Sequence, residues 1–170
     1  MRSHASKVDE GERAMLGAMS QYAVTVTVES TFAKQVEQGS LEDQANDVLA
    51  AEQVPRESEL SVFVTDDETI QDLNRRYRDI DEPTDVLSFG LGDDPAFAKP
   101  PDSAHQAGEI VISFPTALQQ ASDCGYEVEL ELLHLLTHGL LHILGYDHET
   151  PEDARKMHAI EEALLEGWRH

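Results

Sequence analysis

A single cysteine in 170 residues, Cys124, excludes an internal disulfide framework and suits a reducing cytoplasm. An isolated thiol of this kind reads as a small buried apolar residue. No apolar run approaches the ~18 residues needed to cross a bilayer, so no membrane partner is expected. The opening stretch, residues 1–15, has no apolar core and so does not read as a secretory signal. No glycine-rich phosphate loop is present, which leaves a nucleotide cofactor unsupported. Ser88 lacks the acid and histidine pattern of a serine hydrolase.

Basic residues are scarce. Twelve Lys and Arg face 34 Asp and Glu, for a formal charge of -22. Such a surface repels nucleic acid and other polyanions, unless a local basic patch or a bound metal supplies the attraction. What remains is a soluble globular composition, 40% apolar and 27% charged, long enough for one domain with a real core.

Residues 1–21 are polar and unpatterned and read as a mobile tail; residues 22–170 read as one domain. Tyr22–Glu29 alternates apolar and polar residues, a half-buried strand. A helical stretch follows from Ser40, its expected cap, and ends at Val54-Pro55. Leu60–Thr65 is a second strand. Thr65 and Glu68 form a capping box for a helix that carries Ile70, Leu73 and Tyr77 on one face. Asp85–Phe89 and Gly108–Phe114 are two further strands, joined by a long loop with three prolines and no helix. Pro115 suits the first turn of a short helix. Residues 127–144 have leucine on nearly every face, a helix buried on most sides, with glutamates complementing its positive end. Gly145 permits a left-handed stop. Thr150 caps a final helix with Met157, Ile160 and Leu164 on its apolar face. The order predicts an α+β fold: a mixed, mostly four-stranded sheet packed with helices, with a metal site at the end of the central buried helix.

That site is the most specific feature. Four of eight histidines fall between 134 and 148. His138 and His142, four apart on a helix, project from one face, close enough to share an ion. His134 continues the series, but 134 to 142 covers ~12 Å of helix, too far for three ligands to converge. His148 follows Gly145, where the chain can fold back. His138, His142 and His148 are therefore the expected metal ligands, one Zn2+ per chain, and His134 a packed neighbour. With no fourth protein ligand, one coordination position stays open, as in catalytic rather than structural sites. Asp147 is a candidate to orient a ligand or simply a turn residue. His4, His105, His158 and His170 lack ligand spacing.

Zinc proteases of the His-Glu-x-x-His type carry their general base directly after the first histidine. Here Gly139 stands in that position, which counts against peptide hydrolysis.

The run His138-Gly-Leu-Leu-His142-Ile-Leu-Gly-Tyr-Asp-His148 resembles the signature of the YbeY family of rRNA maturation factors. Leu73-Asn-Arg-Arg-Tyr-Arg78 with Pro83-Thr-Asp-Val-Leu-Ser-Phe89, and Gly108-Glu-Ile-Val-Ile112, agree in order and spacing, over about residues 22–166. The resemblance implies a metal-dependent, single-strand-specific endoribonuclease of the bacterial cytoplasm, acting in rRNA processing and ribosome quality control. Its partners would be single-stranded or ribosomal RNA and the ribosome with its proteins. It implies metal binding at His138, His142 and His148 and a functional role for Arg78. Glu109 stands where that family usually has aspartate, and Asp79 where it usually has glycine. Arg75, Arg76 and Arg78 are three of eight arginines and form a candidate patch for phosphate; the first two equally answer the helix dipole. Asp85 and Glu109, at strand starts, are the carboxylates that could reach the site. A peptidase-like zinc hydrolase and a non-catalytic ribosome-assembly factor with structural zinc are the competing readings.

Overall fold

The computed structural model describes residues 22–90 and 106–165. The tail expected over 1–21 and most of the long loop lie outside the described residues, as do His4, His105 and His170. Strand β1 (Ala23–Val28) leads through a short 3-10 turn into helix α1 (Gln38–Ala51), then β2 (Glu59–Thr65), α2 (Asp67–Arg78), β3 (Val86–Gly90), β4 (Gln106–Ser113), α3 (Phe114–Cys124), α4 (Val128–Ile143) and α5 (Pro151–Leu164). The sheet order is β1-β2-β4-β3. Its first three strands are parallel, and β3 runs antiparallel on the β4 edge, with Leu87 opposite Val111 and Gly90 opposite Gly108. The two consecutive strands β3 and β4 do pair directly, as their sequence predicts. None of the described helices is long and apolar enough to cross a membrane.

Strand periodicity divides the apolar side chains between two faces. Leu60, Val62 and Val64 of β2 and Ile110 and Ile112 of β4 join the main core with Leu41, Val48 and Leu49 of α1 and Leu132, Leu136, Leu140 and Leu141 of α4. The intervening residues Phe63 and Val111, with Leu87 and Phe89 of β3, meet Ile70 and Leu73 of α2 on the opposite face. Helix α4 is thus a core element, each buried leucine contributing about 1.5–3 kcal/mol. It lies so close to the sheet that a Cβ on Gly139 would stand 3.3 Å from Val86 Cγ2 and 3.5 Å from Ile110 Cγ2.

Several local expectations need correction. Thr65 does not cap α2. It completes β2 and donates to Glu29, while Asp66 accepts from the Thr69 amide at 2.7 Å and is the cap. Helix α1 begins at Gln38, ahead of Ser40, with no side-chain cap. Tyr77 is 54% exposed rather than buried with Ile70, and its ring meets Phe89 of the edge strand edge-on. Cys124, the last residue of α3, is exposed rather than buried. The Thr150 cap and Pro115 in the first turn of α3 stand as expected; the cap of α3 is Ser113, not anticipated from the sequence.

Candidate metal centre and phosphate site

Helix α4 carries His138 and His142 one turn apart and then stops at Gly145, whose φ of 103° only glycine adopts without strain. The turn sends the Tyr146 amide back to the Leu141 carbonyl and brings the Tyr146 carbonyl against His142, whose Nδ1–H donates to it at 3.0 Å. The chain then passes His148 across the helix end. The three imidazoles gather, with ring centroids 4.5 Å apart for His138 and His142, 5.1 Å for His142 and His148, and 5.8 Å for His138 and His148. One ring nitrogen from each lies within 4.8 Å of the others.

Helix α5 supplies the second fixed point. Glu161 is fully buried, and its Oε1 accepts from His138 Nδ1–H at 2.6 Å. Burial raises the pKa of this carboxyl, but the His138 hydrogen bond and the nearby His138, His134 and His158 outweigh it and hold the carboxyl below its ordinary range. His134 turns the other way, toward buried Glu131 at 3.3 Å and Glu161 at 4.0 Å. Glu131 also accepts from the Tyr126 hydroxyl. It is therefore a buried hydrogen-bonding partner as well as a charge near the helix start.

The tautomers follow from these partners. Both Nδ1 protons are committed to oxygen acceptors, so the Nε2 lone pairs of His138 and His142 face each other at 3.0 Å. Two lone pairs at that distance repel, and a cation between them removes the repulsion. Burial, then the charges of His138 and His148, lower the pKa of His142, which favours a neutral ring with a free donor pair. Two ligands at 2.0–2.1 Å on a tetrahedral ion stand ~3.3 Å apart, close to the observed separation. His134, His138 and Glu161 form a second group of converging donors. There the 2.6 Å contact between His138 and Glu161 has the length of a charge-assisted hydrogen bond. This group supports the first rather than duplicating it.

The three histidines form one wall of a cavity of about 450 Å3, which Arg78, Asp85, Val86 and Ser88 also line. Arg78 ends α2, and its guanidinium donates to the Ser88 carbonyl at 2.8 Å while lying 5.6 Å from the Phe89 ring centroid. Arg75 and Arg76 instead pair with Asp72. The Asp85 carboxylate reaches the cavity wall, yet it accepts from the Val86 amide at 2.8 Å and Gln120 Nε2 at 3.2 Å. Glu109 is exposed, opposite Phe89 in the sheet, and is not among the cavity's lining residues. Asp147 is exposed and accepts from the Glu149 amide at 3.3 Å, so it serves the turn.

With this geometry in view, relatives identify the lineage. Residues 25–169 match the family described as Endoribonuclease YbeY. The chain belongs to that family. A protein named Endoribonuclease YbeY from Roseiflexus sp. (strain RS-1) is 42% identical over 148 residues, 86% of this chain and 92% of the relative. Its namesake from Moorella thermoacetica is 48% identical over 122 residues, 69% of this chain and 78% of the relative. A solution structure from Thermotoga maritima shares the fold, with a TM-score of 0.57 at 24% identity, covering 84% of this chain and 87% of that one.

Glu161 was missed in the sequence, although a signal for it exists. In a helix whose apolar stripe runs 157, 160, 164, a glutamate at 161 falls on the same face. A carboxylate on a buried face demands a buried partner. Only the fold shows that the partner is His138.

Proposed function

We propose that this YbeY family member is a metal-dependent endoribonuclease for single-stranded ribosomal RNA in the cytoplasm, with Zn2+ held by His138, His142 and His148. The observation that carries the reading is the pair of imidazole nitrogens facing at 3.0 Å beside His148, in the wall of a cavity that Arg78 also lines. Three neutral imidazoles suit zinc among the common divalent ions. A zinc ion there supplies Lewis acidity toward the phosphodiester and lowers the pKa of an attacking water or 2′-hydroxyl.

The protein's own groups do the rest. Glu161 and the Tyr146 carbonyl hold the two helix imidazoles in the tautomer that turns Nε2 toward the cavity. Arg78 spends one of its five donors on the Ser88 carbonyl and has others for phosphate oxygens. Its partner is a neutral carbonyl, whereas Arg75 and Arg76 share the single carboxylate of Asp72. In a chain of net charge -22, the Arg78 guanidinium is the local attraction a phosphate needs.

Purified protein assayed on single-stranded RNA, duplex RNA and casein, with and without chelator, tests the reading. Chelator-sensitive cleavage of single-stranded RNA is expected, with casein untouched. Proteolysis without RNA cleavage, or RNA cleavage indifferent to chelator, would overturn it.

Two variants refine it. Arg78→Ala is expected to lower kcat by about 100-fold, the scale for losing one donor to transition-state charge. Arg78→Lys should recover only part of this, since an ammonium cannot fork onto two oxygens. Both should bind zinc as the parent does. Glu161→Gln is expected to weaken zinc affinity by about 10–100-fold in a competition titration against a chromophoric chelator. The same variant reports on acid stability. The Glu161 carboxyl titrates below its ordinary value, so its charge adds stability above the ordinary glutamate range, near pH 4.3, and that stability is lost as pH falls through the depressed folded value. Glu161→Gln should flatten that acid limb in unfolding measurements on the metal-free protein.

A further inference from the structure

Tyr77 has no part in the chemistry above, and its position is unusual. A large aromatic ring is 54% exposed on the last turn of α2, beside Ile80 at 47%. It is nonetheless held in place. Its ring meets Phe89 at a centroid distance of 5.5 Å and an angle of 62°, and Phe89 in turn lies under the Arg78 guanidinium. Tyrosine, phenylalanine and guanidinium form a continuous strip. The strip ends at Arg78, in the wall of the histidine cavity.

We propose that Tyr77 is a stacking platform for an unpaired nucleobase, next to the phosphate held by Arg78; this rests on the RNA-cleaving reading above. Three observations favour a nucleobase over an apolar protein segment. The exposed ring is next in sequence to Arg78, whose guanidinium hydrogen-bonds a neutral carbonyl, while Arg75 and Arg76 pair with Asp72, in a protein of net charge -22. It adjoins the cavity proposed to take the phosphate. Its anchoring by Phe89 fixes the ring in advance, so little conformational freedom is lost on stacking. Bases in a duplex are already stacked on one another, so such a platform rewards single strands and tolerates any sequence.

The test uses the zinc-loaded full chain, its Tyr77→Leu and Tyr77→Phe variants, and a single-stranded RNA oligonucleotide made intact and with one abasic residue at each position in turn. Tyr77→Leu is expected to raise KM on intact RNA about tenfold, with kcat and thermal midpoint little changed, while Tyr77→Phe stays near the parent. For the oligonucleotide lacking the stacked base, parent and Tyr77→Leu should have the same KM. An unchanged KM for Tyr77→Leu on intact RNA, in a parent that cleaves RNA, overturns this proposal alone. So does a loss that persists on every abasic oligonucleotide, since Tyr77 would then act only by propping Phe89. A parent that cleaves no RNA overturns the functional reading and this proposal together.

Discussion

His142→Ala should leave a folded protein that retains no stoichiometric zinc and cleaves RNA at least about 1,000-fold more slowly, since a metal supplies several kcal/mol of transition-state stabilisation and each ~1.4 kcal/mol is tenfold in rate. The middle ring of the trio is the most exacting position. It faces His138 at 3.0 Å, lies 5.1 Å from His148 by centroids, and is oriented by the turn that Gly145 permits. Without it, His138 and His148 remain on opposite sides of a gap. Elemental analysis reads the metal loss, circular dichroism and thermal unfolding read the fold, and the RNA assay reads the rate. If zinc and folding vanish together, the metal is structural, and the catalytic reading fails. The pH dependence has a definite sign. His142 is lowered below the ordinary imidazole value of ~6.5, chiefly by burial, so the metal-free parent loses stability as pH falls below that value and the unfolded chain takes up the proton first. Metal-free His142→Ala should be less sensitive over the same range. In the loaded parent, protons compete for the same nitrogens, so zinc should be released as pH drops.

The site was legible in sequence where it is local and illegible where it is not. His138 and His142 share a helix face by the 3.6-residue period, and Gly145 marks where the chain returns, so three converging imidazoles could be named from one continuous segment. Glu161 comes from another helix, and no spacing rule connects 138 to 161. Arg78 stood out through a family pattern, whereas its hold on the Ser88 carbonyl depends on how α2 overlies the antiparallel edge strand. The wrong cap at Thr65 has a similar origin. In Thr65-Asp66-Asp67-Glu68 the local code permits two starts, and pairing of Thr65 with Ser113 of β4 extends the strand and selects Asp66. Asp79 is instructive in the opposite way. It occupies a left-handed conformation, φ 58°, at the end of α2, which accounts for glycine being usual there in the resembled family. Aspartate is among the few other residues that tolerate it.

The second large effect concerns Gly139, the position where zinc proteases of the His-Glu-x-x-His type keep their base. Gly139→Glu should abolish soluble folded protein rather than create a peptidase. Gly139 is buried, and a Cβ there would point at the sheet and already stand only 3.3–3.5 Å from Val86, Ile110 and the Ser88 hydroxyl. A glutamate must push its remaining atoms through β3 and β4 and carry a carboxylate into an apolar core. Overpacking alone costs about 1–3 kcal/mol, and an unpaired buried charge costs several more, against a total stability of order 5–15 kcal/mol. Gly139→Ala separates the two contributions. The alanine gains about 1 kcal/mol of helix propensity and loses a comparable amount to the 3.3 Å contact with Val86. Its thermal midpoint should therefore stay within a few degrees of the parent. A soluble, cooperatively folding Gly139→Glu protein would show that α4 can move off the sheet. If it also cleaved casein, the absence of a base at this position would be a matter of selection and not of space. The packing argues otherwise: the close approach of α4 to β3 that sets the histidines beside Arg78 is the same contact that leaves no room for a protease base.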